Sequence, residues 1–404
     1  MMITTNFDSG SINIINAVHP QNINLRLRGD NQSCNAQWFH FRLDTTAGEP
    51  HKITIVDAGS STFAAGWSNY QAVASYDGQA WFRVPTHYDG KDLVIDHTPE
   101  QACVSYAYFP PYSQARQQQV FTDALTSKRC THISLGHTPE QRSIDLLVVG
   151  HGQLDEGAQK KKVWIIARQH PGETMAQWFI EGLLARLLSN DETAEKLLDE
   201  STFYIVANMN PDGSAKGNHR TNATGVNLNS IWHEPSQFEA PEVYYVRKAM
   251  HAIGVDLFLD IHGDEEIPYS FMMGGKSSKQ LTTRALNFKR HYEQVNADFQ
   301  VAQDYDTHQA AGGQSCCGSS CSTNNARTIA TDYVESTFGC LALFLEMPFK
   351  ASDPDNQAQH VNPQDICKGL GASVLDTILH TLPAPRCAHG AGSVSNSAPF
   401  IHVD

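Results

Sequence analysis

The sequence lacks an excess of positive charge, a regular cysteine framework and any long apolar run. With 29 Lys and Arg against 43 Asp and Glu, the formal net charge is −14. Such a chain repels the phosphates of nucleic acids and anionic lipid surfaces, so neither is expected as a partner. No stretch approaches the roughly 18–20 apolar residues of a membrane-spanning helix. The N-terminal MMITTNFDSGSINIINAV has neither a basic segment nor a long apolar one, so no signal peptide is read there and the expected location is the cytoplasm. The nine cysteines, at positions 34, 103, 130, 316, 317, 321, 340, 367 and 387, are an odd number with irregular spacing. A chain of 404 residues buries enough surface without covalent staples. The one cluster, Cys316, Cys317 and Cys321, has no second pair at zinc-finger spacing and reads as a loop.

What is present is an ordinary globular composition, 41% hydrophobic and 18% charged. The length suggests about two domains. Residues 1–122 carry short runs in which aromatic or β-branched residues alternate with polar ones, as in Trp38-Phe39-His40-Phe41-Arg42, punctuated by Gly, Asp, Asn and Pro. That pattern predicts an all-β antiparallel sandwich. In residues 123–382, uninterrupted apolar runs (144–149, 163–167, 203–209, 257–261, 341–345) alternate with helical periods (174–188, 241–253, 279–295, 363–380). This predicts an α/β domain with a mixed, largely parallel central sheet flanked by helices. Residues 310–325 read as a long loop and 383–404 as a C-terminal tail.

Chemistry concentrates where the apolar strands end, the usual place for sites in α/β sheets. After Ile165-Ile166-Ala167 come His170-Pro171-Gly172-Glu173, an imidazole and a carboxylate across a sharp turn. After Leu257-Phe258-Leu259 comes Asp260-Ile261-His262. Two His and one Glu with an open fourth position form a catalytic zinc set. Glu346, in Leu345-Glu346-Met347-Pro348, is a lone acid in a third apolar run and a candidate general base. Arg220, in the loop Gly217-Asn218-His219-Arg220-Thr221-Asn222, is a candidate for stabilising an oxyanion. Glu265 and Glu266 read as supporting or solvated charges, and His219, His233 and His308 as structural or surface groups.

The ordered motifs HPGE (170–173), NPDG (210–213), HRTN (219–222), GVNLN (225–229), DIHGDEE (260–266) and LEMPF (345–349) resemble those of the carboxypeptidase A-like zinc metallocarboxypeptidases. Together with Phe109-Pro110-Pro111-Tyr112, they are most similar to the bacterial cytosolic carboxypeptidase-like branch. The resemblance implies one Zn²⁺ per chain held by His170, Glu173 and His262, with Glu346 as general base and Arg220 polarising the scissile carbonyl. It also implies that Asn229 contacts the C-terminal carboxylate of a peptide or protein substrate. Two positions depart from the pattern. Ser230 stands where the family has an arginine that grips that carboxylate, and Asn227 stands where it often has Asp. Arg168 is a candidate to supply the missing cation. The expected function is zinc-dependent hydrolysis of the C-terminal peptide bond. A same-fold zinc amidase or deacylase on a non-standard amide, and a catalytically weak peptide-binding homologue, remain open alternatives.

Overall fold

The computed structural model describes residues 1–150, 160–305, 328–350 and 362–382; the Cys316, Cys317 and Cys321 cluster, His308 and the 383–404 segment lie outside them. Two five-stranded sheets come first. One runs in the order β1 (Met2–Thr4), β4 (His40–Asp44), β10 (Cys103–Ala107), β6 (Val73–Ser75), β7 (Phe82–Arg83). The other runs β2 (Asn13–His19), β3 (Asn22–Arg26), β5 (His51–Ile55), β9 (Leu93–His97), β8 (Thr86–Tyr88). Pairing is antiparallel except between β3 and β5, which run parallel. The period-two pattern does the work here. Ile23, Leu25, Phe41, Leu43, Ile53, Ile55, Ile95 and Val104 are fully buried in one apolar core.

Helix α1 (Gln114–Ala124) leads into a seven-stranded sheet ordered β11 (Cys130–His137), β12 (Ser143–Val149), β14 (Ser201–Val206), β13 (Lys161–Ala167), β15 (Leu257–Asp264), β17 (Leu341–Pro348), β16 (Phe271–Gly274). The middle four strands are parallel, and the two strands on one flank and the one on the other join antiparallel. Parallel strands buried on both faces need apolar residues at every position. Along β13, Val163, Ile165 and Ala167 enter the core that also packs the N-terminal sheets, while Trp164 and Ile166 enter a second core. Helices α2 (Met175–Leu187), α3 (Glu192–Glu200), α6 (Lys279–Val295) and α8 (Pro363–Thr381) cover the first face. Helices α5 (Pro241–Ile253) and α7 (Ala330–Phe338) cover the second.

The NPDG segment opens a short helix, α4 (Pro211–Lys216). Asn210 caps it by accepting from Gly213 N–H, and Pro211 fits the first helical position. This helix delivers the chain into the 217–222 loop. Among the described residues no helix is long and apolar enough to cross a membrane.

Candidate active site

Strand β13 ends in a residue with left-handed backbone, Arg168 at φ 60°. That conformation is strained for a non-glycine residue. Its guanidinium holds it there: Nε donates to the Pro171 carbonyl at 2.8 Å, and Nη1 donates to the Tyr112 carbonyl at 3.1 Å and to the Gln177 side chain. The turn swings His170 and Glu173 back over the sheet end. Arg168 is therefore spent inside the protein, 1% exposed, and does not supply the substrate-gripping cation considered from the sequence. Gly172 packs on the His219 backbone and ring so closely that any Cβ would collide.

His170, Glu173 and His262 converge, with one donor atom from each lying within 4.8 Å of the others. His170 Nδ1 is 2.6 Å from Glu173 Oε1, and His262 Nδ1 is 2.8 Å from Glu173 Oε2. Each imidazole has an acceptor on its far side. His170 Nε2 donates to Asn227 Oδ1 at 3.2 Å, and His262 Nε2 donates to Asp260 Oδ2 at 2.9 Å. Asn227 Oδ1 also accepts from Asn229 N–H, which identifies it as the oxygen. With its proton held on Nε2, His170 has an Nδ1 lone pair toward the shared carboxylate, and His262 would present the same lone pair once its Nδ1 proton leaves. Two imidazoles and one carboxylate, all buried, suit a zinc ion with a fourth position free. Asp260 is held in turn by Gln169, whose side-chain oxygen accepts from Trp232.

The electrostatics treat the two imidazoles differently. Burial and the nearby Arg220 push the His170 imidazole down to about 3, which keeps it neutral as a ligand must be. Burial disfavours charge on His262 and Glu173, but the contacts among them and Asp260 win: His262 is held up and Glu173 down. Glu346 lies beside this cluster because β15 and β17 pair in a register that sets it against His262. Burial, together with Glu173, Asp264 and Glu265, lifts its carboxyl well above the usual range, against the pull of His262. Its Oε2 has no partner among the described residues. Its Oε1 accepts weakly from the Tyr305 hydroxyl at 3.3 Å, which donates more closely to Asp264 at 2.9 Å.

Arg220 reaches the same place, with Nη1 3.7 Å from Glu173 Oε1 and its side chain 23% exposed. Asn229 is tied into the scaffold: Oδ1 accepts from Ala330 N–H at 2.9 Å, and Nδ2 lies 3.5 Å from His262 Nε2. Ser230 turns back to donate to the Asn227 carbonyl at 2.8 Å. The sequence pattern did not single out Asp260, Gln169, Asp264 or Tyr305, whereas Glu265 has the supporting place it was given. Glu265 forms a buried pair with His219 at 2.6 Å.

Comparison with known proteins shows the family. Residues 3–109 match the cytosolic carboxypeptidase N-terminal domain, and residues 120–365 match the zinc carboxypeptidase family. The chain belongs to the zinc carboxypeptidase family. Among solved structures, this family member resembles a metallo-carboxypeptidase from Burkholderia cenocepacia at 44% identity and TM-score 0.86, covering 94% of this chain and 98% of that one. It also resembles a Pseudomonas aeruginosa metallo-carboxypeptidase solved with (2-guanidinoethylmercapto)succinic acid, at 39% identity and TM-score 0.84, covering 94% and 98%. Cytosolic carboxypeptidase 6 of Mus musculus is 27% identical over 66% of this chain; the chain spans about half, 54%, of that relative's length. By family this carboxypeptidase homologue is a metallopeptidase.

Proposed function

We propose that this chain is a zinc-dependent carboxypeptidase that hydrolyses the C-terminal peptide bond of peptides or proteins. The observation that carries this reading is the convergence of His170 Nδ1, His262 Nδ1 and Glu173, with the half-partnered Glu346 carboxyl alongside. His170, Glu173 and His262 would hold the zinc, which would supply a Lewis acid for the scissile carbonyl and lower the pKa of the attacking water. Glu346 accepts the water's proton as the carbonyl is attacked and returns it to the leaving amine. Its carboxyl is buried with Oε2 unpartnered, so a cation bound beside it would favour the charged form that a base needs. Arg220 directs its guanidinium at the oxygen where negative charge develops. Asn229 meets the terminal carboxylate. The succinate-bearing ligand of the Pseudomonas aeruginosa homologue supports a pocket that accepts carboxylates. We place the catalytic unit at residues 123–382, the preceding sandwich at 1–122, and the protein in the cytoplasm.

Ser230 favours a second reading. Serine cannot grip a carboxylate in the bidentate manner of arginine. A zinc amidase or deacylase acting on an amide without a free terminal carboxylate would not need that grip. Matched peptides with free and amidated C-termini separate the two. Cleavage of the free peptides alone is expected, whereas equal cleavage of both sets would establish the amidase reading.

A further inference from the structure

The loop carrying Arg220 is held from outside its own sheet. Asp30 lies in the connection between β3 and β4 of the N-terminal sheets and is almost wholly buried. Its Oδ1 accepts from His219 N–H at 2.6 Å. Its Oδ2 accepts from Arg220 N–H at 2.7 Å, from Thr221 N–H at 2.9 Å and from the Thr221 hydroxyl at 3.1 Å. Three consecutive amides converging on one carboxylate form charge-assisted bonds that define the backbone of all three residues. The rest of the connection is docked on the same loop. Asn31 N–H donates to Asn218 Oδ1 at 3.3 Å, and the Arg28 guanidinium donates to the Lys216 carbonyl. Gly225 sits so close to the Gln32 carbonyl that a Cβ would approach it to 2.6 Å.

The side chain of Arg220 is also bedded on the N-terminal region. Its guanidinium carbon lies 5.2 Å from the centroid of the Phe63 ring, within cation–π range. The same ring meets His219 edge-on at 5.6 Å. Arginine on a free loop samples many rotamers, and a catalytic donor displaced by about 1 Å loses on the order of 100-fold in rate. Asp30 fixes where the Arg220 side chain starts, and Phe63 fixes the plane over which it runs.

We propose that Asp30 and Phe63 are positioning residues for Arg220, so that the N-terminal sheets supply part of the catalytic geometry. This rests on the role given to Arg220 above. In Asp30→Asn the amide keeps one acceptor oxygen but turns N–H groups toward backbone N–H groups, and the loop loses its common anchor.

The test is a double-mutant cycle in the full, zinc-loaded chain, using a C-terminally free peptide and measuring kcat, KM, metal content and amide exchange at residues 219–221. D30N is expected to lower kcat by about 10–100-fold, with KM within about two-fold, metal content unchanged and faster exchange at 219–221. In an Arg220→Ala background, D30N is expected to cost nothing further. Full kcat in R220A alone would overturn the role of Arg220 and this inference with it. A normal loss in R220A, combined with an equal D30N penalty in both backgrounds or none in either, would overturn the inference alone. If D30N does not fold, Phe63→Leu runs the same cycle, with an expected loss of a few-fold that must likewise vanish without Arg220.

Discussion

His262 and Glu346 are register partners on the neighbouring parallel strands β15 and β17. Adjacent strands lie about 4.8 Å apart, so the pairing sets a candidate metal-binding imidazole beside a carboxyl without any loop between them. Rigid elements hold such pairs more closely than loops do.

The division of labour at that pair predicts a clean separation. Glu346→Gln is nearly isosteric and leaves the converging set of His170, Glu173 and His262 intact, so zinc content by elemental analysis is expected to stay at one per chain. Turnover falls by at least about 10²–10⁴-fold, the usual worth of a general base. Loss of zinc in this variant would show that Glu346 is a ligand instead.

Asn227 predicts a tunable metal affinity. Its Oδ1 accepts from His170 Nε2 and from Asn229 N–H, both donors, so a carboxylate fits without rearrangement. Asn227→Asp adds negative charge behind the ligand and makes His170 a better base. Zinc affinity, read by competition with a chromogenic chelator, should rise by about 10-fold, in line with the effect of such outer partners. An unchanged affinity would mean that His170 is not oriented through Nε2.

The parts of the site within reach of local pattern were legible from the sequence. His170 and Glu173 lie across one turn, and His262 and Glu346 each end an apolar run, which is why local pattern singles out all four. Helices α5 and α6 begin and end where their periodicity and N-terminal Pro241 and Ser278 say they should. Asp260 was readable too, since residues two apart on a strand share a face. Strand β11 was missed because it is an edge, and its exposed Thr131 and His132 break the apolar run. Arg168 misled because nothing local says that a strand-end arginine will bond the Tyr112 carbonyl, 56 residues earlier. Asp30 left no trace at all, for its partner His219 is 189 residues away.

Ser230 predicts a gain of function. It occupies a single 3-10 turn, Leu228–Ser230, and its hydroxyl only closes that turn on the Asn227 carbonyl. Ser230→Arg restores a cation where a substrate carboxylate is expected. Hydrogen bonds to charged groups contribute about 1.5–3 kcal/mol, so kcat/KM on peptides with free C-termini should rise roughly 10–100-fold. Amidated peptides should be unaffected. Equal gains on both would mean that the new charge acts on something other than the carboxylate.

Glu242 predicts a pH dependence of stability that is separate from catalysis. It is fully buried in the first turn of α5, with Asn222 Nδ2 3.4 Å from each carboxylate oxygen. Burial, with a contribution from Asp212, pushes its carboxyl up to about 8 from an ordinary value of 4.5. Between those two values the folded chain binds a proton that the unfolded chain releases, so stability falls as pH rises across the window. The stabilisation is whole below about pH 4.5, and by pH 7 it is reduced by about 3 kcal/mol. Glu242→Gln keeps an oxygen for Asn222 and removes the titration. In denaturant melts the variant should be more stable than the parent at pH 7.5 by about 4 kcal/mol, with the gap closing toward pH 4.5. A gap that stays constant across this range would mean that Glu242 ionises at its ordinary pKa in the folded chain.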